Sequence, residues 1–283
     1  AQACGSNSAA NSFAALASHR DRARLRVGGM ASETAHYEPM PEPGQAEAGA
    51  GAEPGRFYLK DAQADIRMGF VRKVYGILSA QLVLTAMIAT PIMSMGKTFA
   101  QQNVWLAGVS SVFLLSTICA MMCCQDLTKK FPQNYALLTI FTIAEGVLVG
   151  FTAAAYTWQS VALAAGVTAL VFLSMTAYAW NTKTDFTGFA PYLVGALLAL
   201  LCFGFVISIL NLCGVPMKGA LMLYDLAGVL LFTMYIVFDT QMIIGGSHQV
   251  QFEIDDYVFA ALNLYLDIIN MFIYLLELFG DRR

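Results

Sequence analysis

Apolar residues run almost without interruption through seven stretches of this chain, at roughly 74–94, 104–124, 135–156, 159–179, 190–212, 221–244 and 257–279. Each is about 20 residues long, the length at which a helix spans the hydrocarbon core of a bilayer. The alternating short segments of a membrane barrel are absent from the pattern. Only short polar connections separate the stretches. The pattern therefore predicts an all-α fold, a polytopic membrane protein built as one seven-transmembrane-helix bundle over residues 74–280.

The chain before Val74 has a different character. Residues 1–55 are rich in Ala, Gly, Glu, Ser and Pro, as in EPMPEPGQAEAGAGAEPG, and show no periodic apolar face. Such composition predicts a disordered tail. The chain begins with Ala, and a basic run at 19–26 precedes an acidic one at 33–53. That leaves open whether residues 1–29 are a targeting segment, or whether Met30 is the start of the mature protein. Residues 56–73, RFYLKDAQADIRMGFVRK, read as an approach segment at the membrane interface, with Phe57, Phe70 and Val71 among the headgroups.

Composition agrees with a membrane chain: 58% of residues are hydrophobic and 12% charged, against about 45–50% and about 25% in soluble domains. A formal charge of -3 argues against nucleic acid as a partner. The bilayer is the expected partner instead, with other membrane proteins as further candidates. Cysteines at 4, 119, 123, 124, 202 and 213 form neither a disulfide framework nor a zinc spacing, so they are expected as small buried side chains. The 14 methionines read as core filling. Trp105, Trp158 and Trp180 fall at span ends, where interfacial belt residues belong.

Lys and Arg set the expected orientation. One side of the seven spans carries Arg56, Lys60, Arg67, Arg72, Lys73, Lys129, Lys130 and Lys183, eight in all; the other carries Lys97, Lys218, Arg282 and Arg283, four. Basic residues favour the cytoplasmic side, so the amino terminus is expected in the cytosol.

The chemistry concentrates in the last two spans. Asp239 lies in YIVFDTQMIIGG and Asp267 in ALNLYLDIINMF, and no Lys or Arg occurs between Lys218 and Arg282. An acid at membrane depth is costly and marks a functional site by default. Asp239 stands six residues before Gly245 and Asp267 about 10 residues into its span, roughly 9 and 15 Å from the shared end. The two spans run antiparallel, so both acids fall toward the loop 245–256. Asn263, Tyr265 and Asn270 lie close to Asp267 along the helix as candidate hydrogen-bond partners. Glu145, about 10 residues into the third span, is a candidate for lining or supporting the same polar path. Asp225, near the start of the sixth span, is shallow enough to belong to the opposite mouth.

Two carboxyl groups a few ångström apart cannot both ionise cheaply, so such a pair holds a proton between them and couples pH to helix packing. The same oxygens suit a transient Ca²⁺ site, since Ca²⁺ accepts carboxylates in a flexible shell. A pair kept protonated for packing alone is the remaining alternative. No cofactor is expected; Ca²⁺ enters as a permeant ion, alongside protons. Catalysis is not expected. The three histidines, at 19, 36 and 248, lie in the tail and one loop, and neither aspartate has the glycine-flanked context of a membrane aspartyl protease.

FVRKVYGILSAQLVLT (70–85), FTIAEG (141–146), NTKTDFT (181–187), YIVFDTQMIIGG (235–246) and DYVFAALNLYLDIINMFIYLLELF (256–279) together closely resemble the Bax inhibitor/lifeguard family, and its lifeguard branch in particular. The resemblance covers about 57–280. It implies a central helix surrounded by six others, and a pH-sensitive Ca²⁺ leak across endomembranes such as those of the endoplasmic reticulum and Golgi, linked to stress and cell-death control. It also implies that Asp239 and Asp267 are the pH-sensing pair, closing the pore when hydrogen-bonded to each other. In the family's bacterial relative a basic residue of the second span latches onto the pair. Residues 104–124 contain no Lys, Arg or His, which leaves Lys129 or Lys130 as the candidates to reach in. A non-conducting scaffold that regulates other channels or cell-death proteins is the rival reading.

Overall fold

A computed structural model describes residues 64–123, 129–215, 218–245, 250 and 252–282. The expected tail, Phe57, Cys4, Cys124 and His248 lie outside the described residues. Seven long helices follow in order: α1 Ala64–Gln102, α2 Val104–Cys123, α3 Gln133–Ala153, α4 Trp158–Asn181, α5 Ala190–Leu212, α6 Lys218–Ile244 and α7 Tyr257–Phe279. A short 3₁₀ turn, Thr187–Phe189, leads into α5. All seven helices are long and apolar enough to cross a membrane.

The architecture is organised by α7. Ala260, Ala261, Leu264, Tyr265, Met271 and Leu276 point in different directions from it and are all fully buried. A helix that is apolar all round is one enclosed by others. Here α1, α3, α4 and α6 pack against it, while α2 leans chiefly on α3 and α5 chiefly on α6. Lipid offers no hydrophobic drive between helices, so close contact at small residues carries the packing. Two glycines of α3 supply it. A Cβ at Gly150 would stand 2.9 Å from the Ile92 Cβ and 3.0 Å from the Ala89 Cα of α1, and one at Gly146 would crowd Ile88.

The helix bounds depart from the apolar runs in one instructive place. α1 starts at Ala64, ten residues before the first apolar run, and Phe70 and Val71 are buried in the core. The sequence placed those two among the headgroups. Other parts of the fold cover them, which a local pattern cannot register. At its other end α1 breaks at Gly96, whose φ of 80° lies in the left-handed region that glycine adopts without a Cβ penalty.

Two expectations about side-chain type are corrected. Cys119, Cys123, Cys202 and Cys213 are free and exposed on the outside of the bundle, not buried. Met87, Met95 and Met222 are likewise outward, so only part of the methionine set, with Met121, Met242 and Met271, fills the core. At membrane depth an outward thiol or thioether meets hydrocarbon, which tolerates it as well as an interior does. Trp105, Trp158 and Trp180 stand exposed at helix ends.

Candidate functional site

The site lies where α6 and α7 approach the loop joining them. From Ile236 to Ile243 every side chain of α6 is buried, polar ones included, and α6 packs chiefly against α7, α4 and α5. Asp239 is 4% exposed and Asp267 5%. Their carboxyl groups are hydrogen-bonded to one another. Asp267 Oδ2 is buried with no hydrogen-bond partner. Tyr235, one helical turn before Asp239, is close enough for its charge to interact with both acids. The two residues that the sequence placed at the same depth are thus joined.

The expected helpers are arranged differently. Tyr265 is two positions from Asp267, about 200° around α7, and its hydroxyl meets Thr85 Oγ1 of α1 at 2.7 Å. Asn270 donates to its own helix, Nδ2 to Leu266 O at 2.8 Å, and Asn263 is partly buried. Glu145 is also partly buried and near enough to Tyr265 for their charges to interact. It therefore sits on the α1–α3 side of α7, with Asp239 on the α6 side. Sequence depth placed Glu145 level with the pair but could not report which face of the central helix it addresses. Asp225, expected within reach of water, is 4% exposed and lies at the far end of α6. An apolar cavity of about 350 Å³ opens over α7 between α1 and α4, bounded by Ala89, Thr168, Phe172 and Ile269. No acid lines it, and it is separate from the pair.

A feature the motifs held without declaring it is the clamp made by Gln241. Its Nε2 donates to Thr184 O at 2.8 Å, and its Oε1 accepts from Phe186 N–H at 2.8 Å. The side chain thereby replaces a strand-like partner for the loop 182–186, two residues beyond Asp239. The loop is further closed by Asp185 Oδ1, which accepts from the Thr187 N–H at 3.0 Å and hydroxyl at 2.6 Å. The Thr187 hydroxyl in turn accepts from Val250 N–H at 3.2 Å. Asp185 is thus a turn-forming aspartate.

The same end of the bundle holds the basic candidates for a latch. Lys129 Nζ lies 2.6 Å from Glu253 Oε2 and 3.5 Å from Asp256 Oδ1. Partial burial acts to lower its ammonium pKa, but Glu253 and Asp256 outweigh that and hold it above its ordinary value. Burial pushes Asp256 up despite Lys129. Lys130 is exposed. Lys129 is thus spoken for by the loop before α7 and does not reach the acid pair. Lys73 of α1 stacks its Nζ over the Tyr257 ring, 3.1 Å from the centroid.

A family model described as "Inhibitor of apoptosis-promoting Bax1" matches residues 67–283. The chain belongs to the Bax inhibitor/lifeguard family. Protein lifeguard 3 of Homo sapiens is 36% identical over 220 residues, covering 77% of this chain and 70% of that protein. Protein LIFEGUARD 4 of Arabidopsis thaliana is 35% identical over 221 residues, covering 76% of this chain and 85% of its own length. Family membership accounts for a multispan bundle, and the matched region contains both aspartates, the Gln241 clamp and Glu145. The resemblance read from the motifs is therefore borne out at the level of family and of seven apolar helices.

Proposed function

We propose that this lifeguard-family protein is a pH-sensitive Ca²⁺ leak channel of intracellular membranes, acting in Ca²⁺ homeostasis and in stress and cell-death responses. One observation carries the reading: two buried carboxyl groups on adjacent helices hydrogen-bond to each other with no cation among them. A proton shared by the pair ties α6 to α7. When that proton leaves, two negative charges face each other in a medium of low dielectric and push the helices apart. The ionised pair then offers oxygens to Ca²⁺. The described residues gather no set of three or more His, Cys, Asp or Glu, so such an ion keeps water in its shell and is held briefly, as permeation needs. Among the described residues, Tyr235 is a titratable side chain beside the pair. An amino terminus in the cytosol and a home in the endoplasmic reticulum or Golgi are part of the same proposal.

The test is Ca²⁺ release from liposomes holding the purified protein, followed from about pH 5 to 8. The parent should leak more as pH rises. D239N and D267N should each flatten that dependence, and the double variant should add little, because both changes break one coupled unit. A parent-like pH curve in both single variants defeats the pair as sensor. Absence of flux together with capture of a membrane partner supports the scaffold reading instead.

A further inference from the structure

The α6–α7 seam carries a second pair of carboxyl groups, at the end away from the loop 245–256. Asp225 lies seven residues into α6, about 10 Å, and Glu277 lies two residues before the end of α7. Their side chains hydrogen-bond to one another. Asp225 is almost fully buried, and apart from Glu277 its Oδ1 meets no hydrogen-bond donor among the described residues. Glu277 is partly exposed.

A positive charge is fixed beside them without closing them off. Arg282 is near enough to act electrostatically on both acids, but its guanidinium lies over the Tyr156 ring, 5.7 Å from the centroid. Among the described residues it makes no ion pair with either. The backbone holds it there. Tyr156 and Arg282 form an isolated antiparallel bridge, Thr157 N–H donates to Asp281 O at 3.0 Å, and Asp281 N–H donates to Ser160 Oγ at 2.9 Å. Tyr224 and Tyr274, neighbours of the two acids along their helices, bring their hydroxyls within 3.1 Å of each other.

We infer that Asp225 and Glu277 form a binding site for a divalent cation of the Ca²⁺ class, at the end of the α6–α7 seam opposite the Asp239–Asp267 pair. A buried carboxyl oxygen with no donor is satisfied by a cation, and a hard cation accepts two carboxylates with water completing its shell. Two carboxylates without further charged ligands make a weak site, with a dissociation constant on the order of 10⁻⁴–10⁻³ M. The Arg282 charge offsets repulsion between the acids when the ion is gone and weakens its binding when it is present. The site does not depend on conduction: it stands whether or not the chain leaks Ca²⁺.

Terbium tests it, because Tb³⁺ takes oxygen ligands as Ca²⁺ does and is sensitised by nearby tyrosine, here Tyr156, Tyr224 and Tyr274. The full chain in nanodiscs, carrying D239N/D267N to silence the other pair, is titrated with Tb³⁺ and then with Ca²⁺. Tyrosine-excited emission that Ca²⁺ displaces is expected. D225N and E277Q should each weaken binding at least ten-fold, and R282Q should tighten it several-fold. E277Q carries the test if D225N fails to fold, since Gln is isosteric and position 277 is near the helix end. Unchanged affinity in E277Q at parental thermal stability overturns the proposal, as does emission that Ca²⁺ leaves unaltered. Weaker binding in R282Q overturns the role given to Arg282.

Discussion

Asp267 Oδ2, buried with no donor, concentrates the cost of the site in one atom. Asn keeps the shape and removes the ionisable proton, so D267N should fold about as stably as the parent while losing pH response; thermal unfolding in detergent reads the first and liposome flux the second. Glu145 gives a contrasting outcome. Because it addresses Tyr265 on the other side of α7, E145Q is expected to lower flux without moving the pH at which flux changes. A shifted pH curve in E145Q would mean that the two faces of α7 titrate as one unit. Lys129 supplies a third case. Its ammonium is held above its ordinary value by Glu253 and Asp256. The stability this adds is present below the unfolded value and lost only as pH rises through the higher folded one. It is therefore constant across about pH 5 to 8. K129Q should leave the pH response intact, and a flattened curve would restore Lys129 as a latch.

At the scale of elements, two close approaches decide how the helices are joined. Gly150 leaves no room for a side chain against Ala89 and Ile92, so Gly150→Val must separate α1 from α3. Overpacking of this kind costs about 1–3 kcal/mol, visible as a fall in the unfolding temperature in detergent. A parental temperature would show that the helices shift freely. The Gln241 clamp ties α6 to the α4–α5 connection through two hydrogen bonds. Q241L removes both and leaves the Thr184 carbonyl and the Phe186 N–H to water, a loss of about 0.5–1.5 kcal/mol for each bond. Faster amide exchange at Phe186 than in the parent is the expected signature. Since Gln241 lies two residues from Asp239 in a stretch of α6 where every side chain is buried, movement of α6 at the pair must disturb this loop. The clamp is thus a mechanical link between the site and the surface.

Across the whole molecule, the seven spans place the loop 245–256 and the amino-terminal end of α1 on one side of the membrane, and the Asp225–Glu277 end on the other. In the proposed orientation, argued from the Lys and Arg balance, the first of these faces the cytosol. Cysteine-accessibility mapping in sealed vesicles, on a background with the exposed native cysteines replaced, should label residues inserted at positions 60 and 250 from the cytosolic side together. Labelling from opposite sides removes the shared depth on which the pairing of Asp239 with Asp267 depends.

The amino-acid order alone determined the number of long apolar helices, the family and the positions of Asp239 and Asp267 along theirs, because each follows from quantities local to the chain: run length, motif and distance from a helix end. Depth, however, is one coordinate of three. Which helix becomes the centre depends on which surface the others cover, and α7 differs from α5 in being enclosed by four neighbours, though both are apolar runs. The same missing information is rotation about each helix axis. It put Glu145 and Asp239 on opposite sides of α7, turned Asn270 to its own backbone and brought Glu277 to Asp225 across 52 residues of chain. Rotation is set by packing at Gly146, Gly150 and Gly228, where backbones or rings meet at close range. Only the assembled bundle contains those contacts.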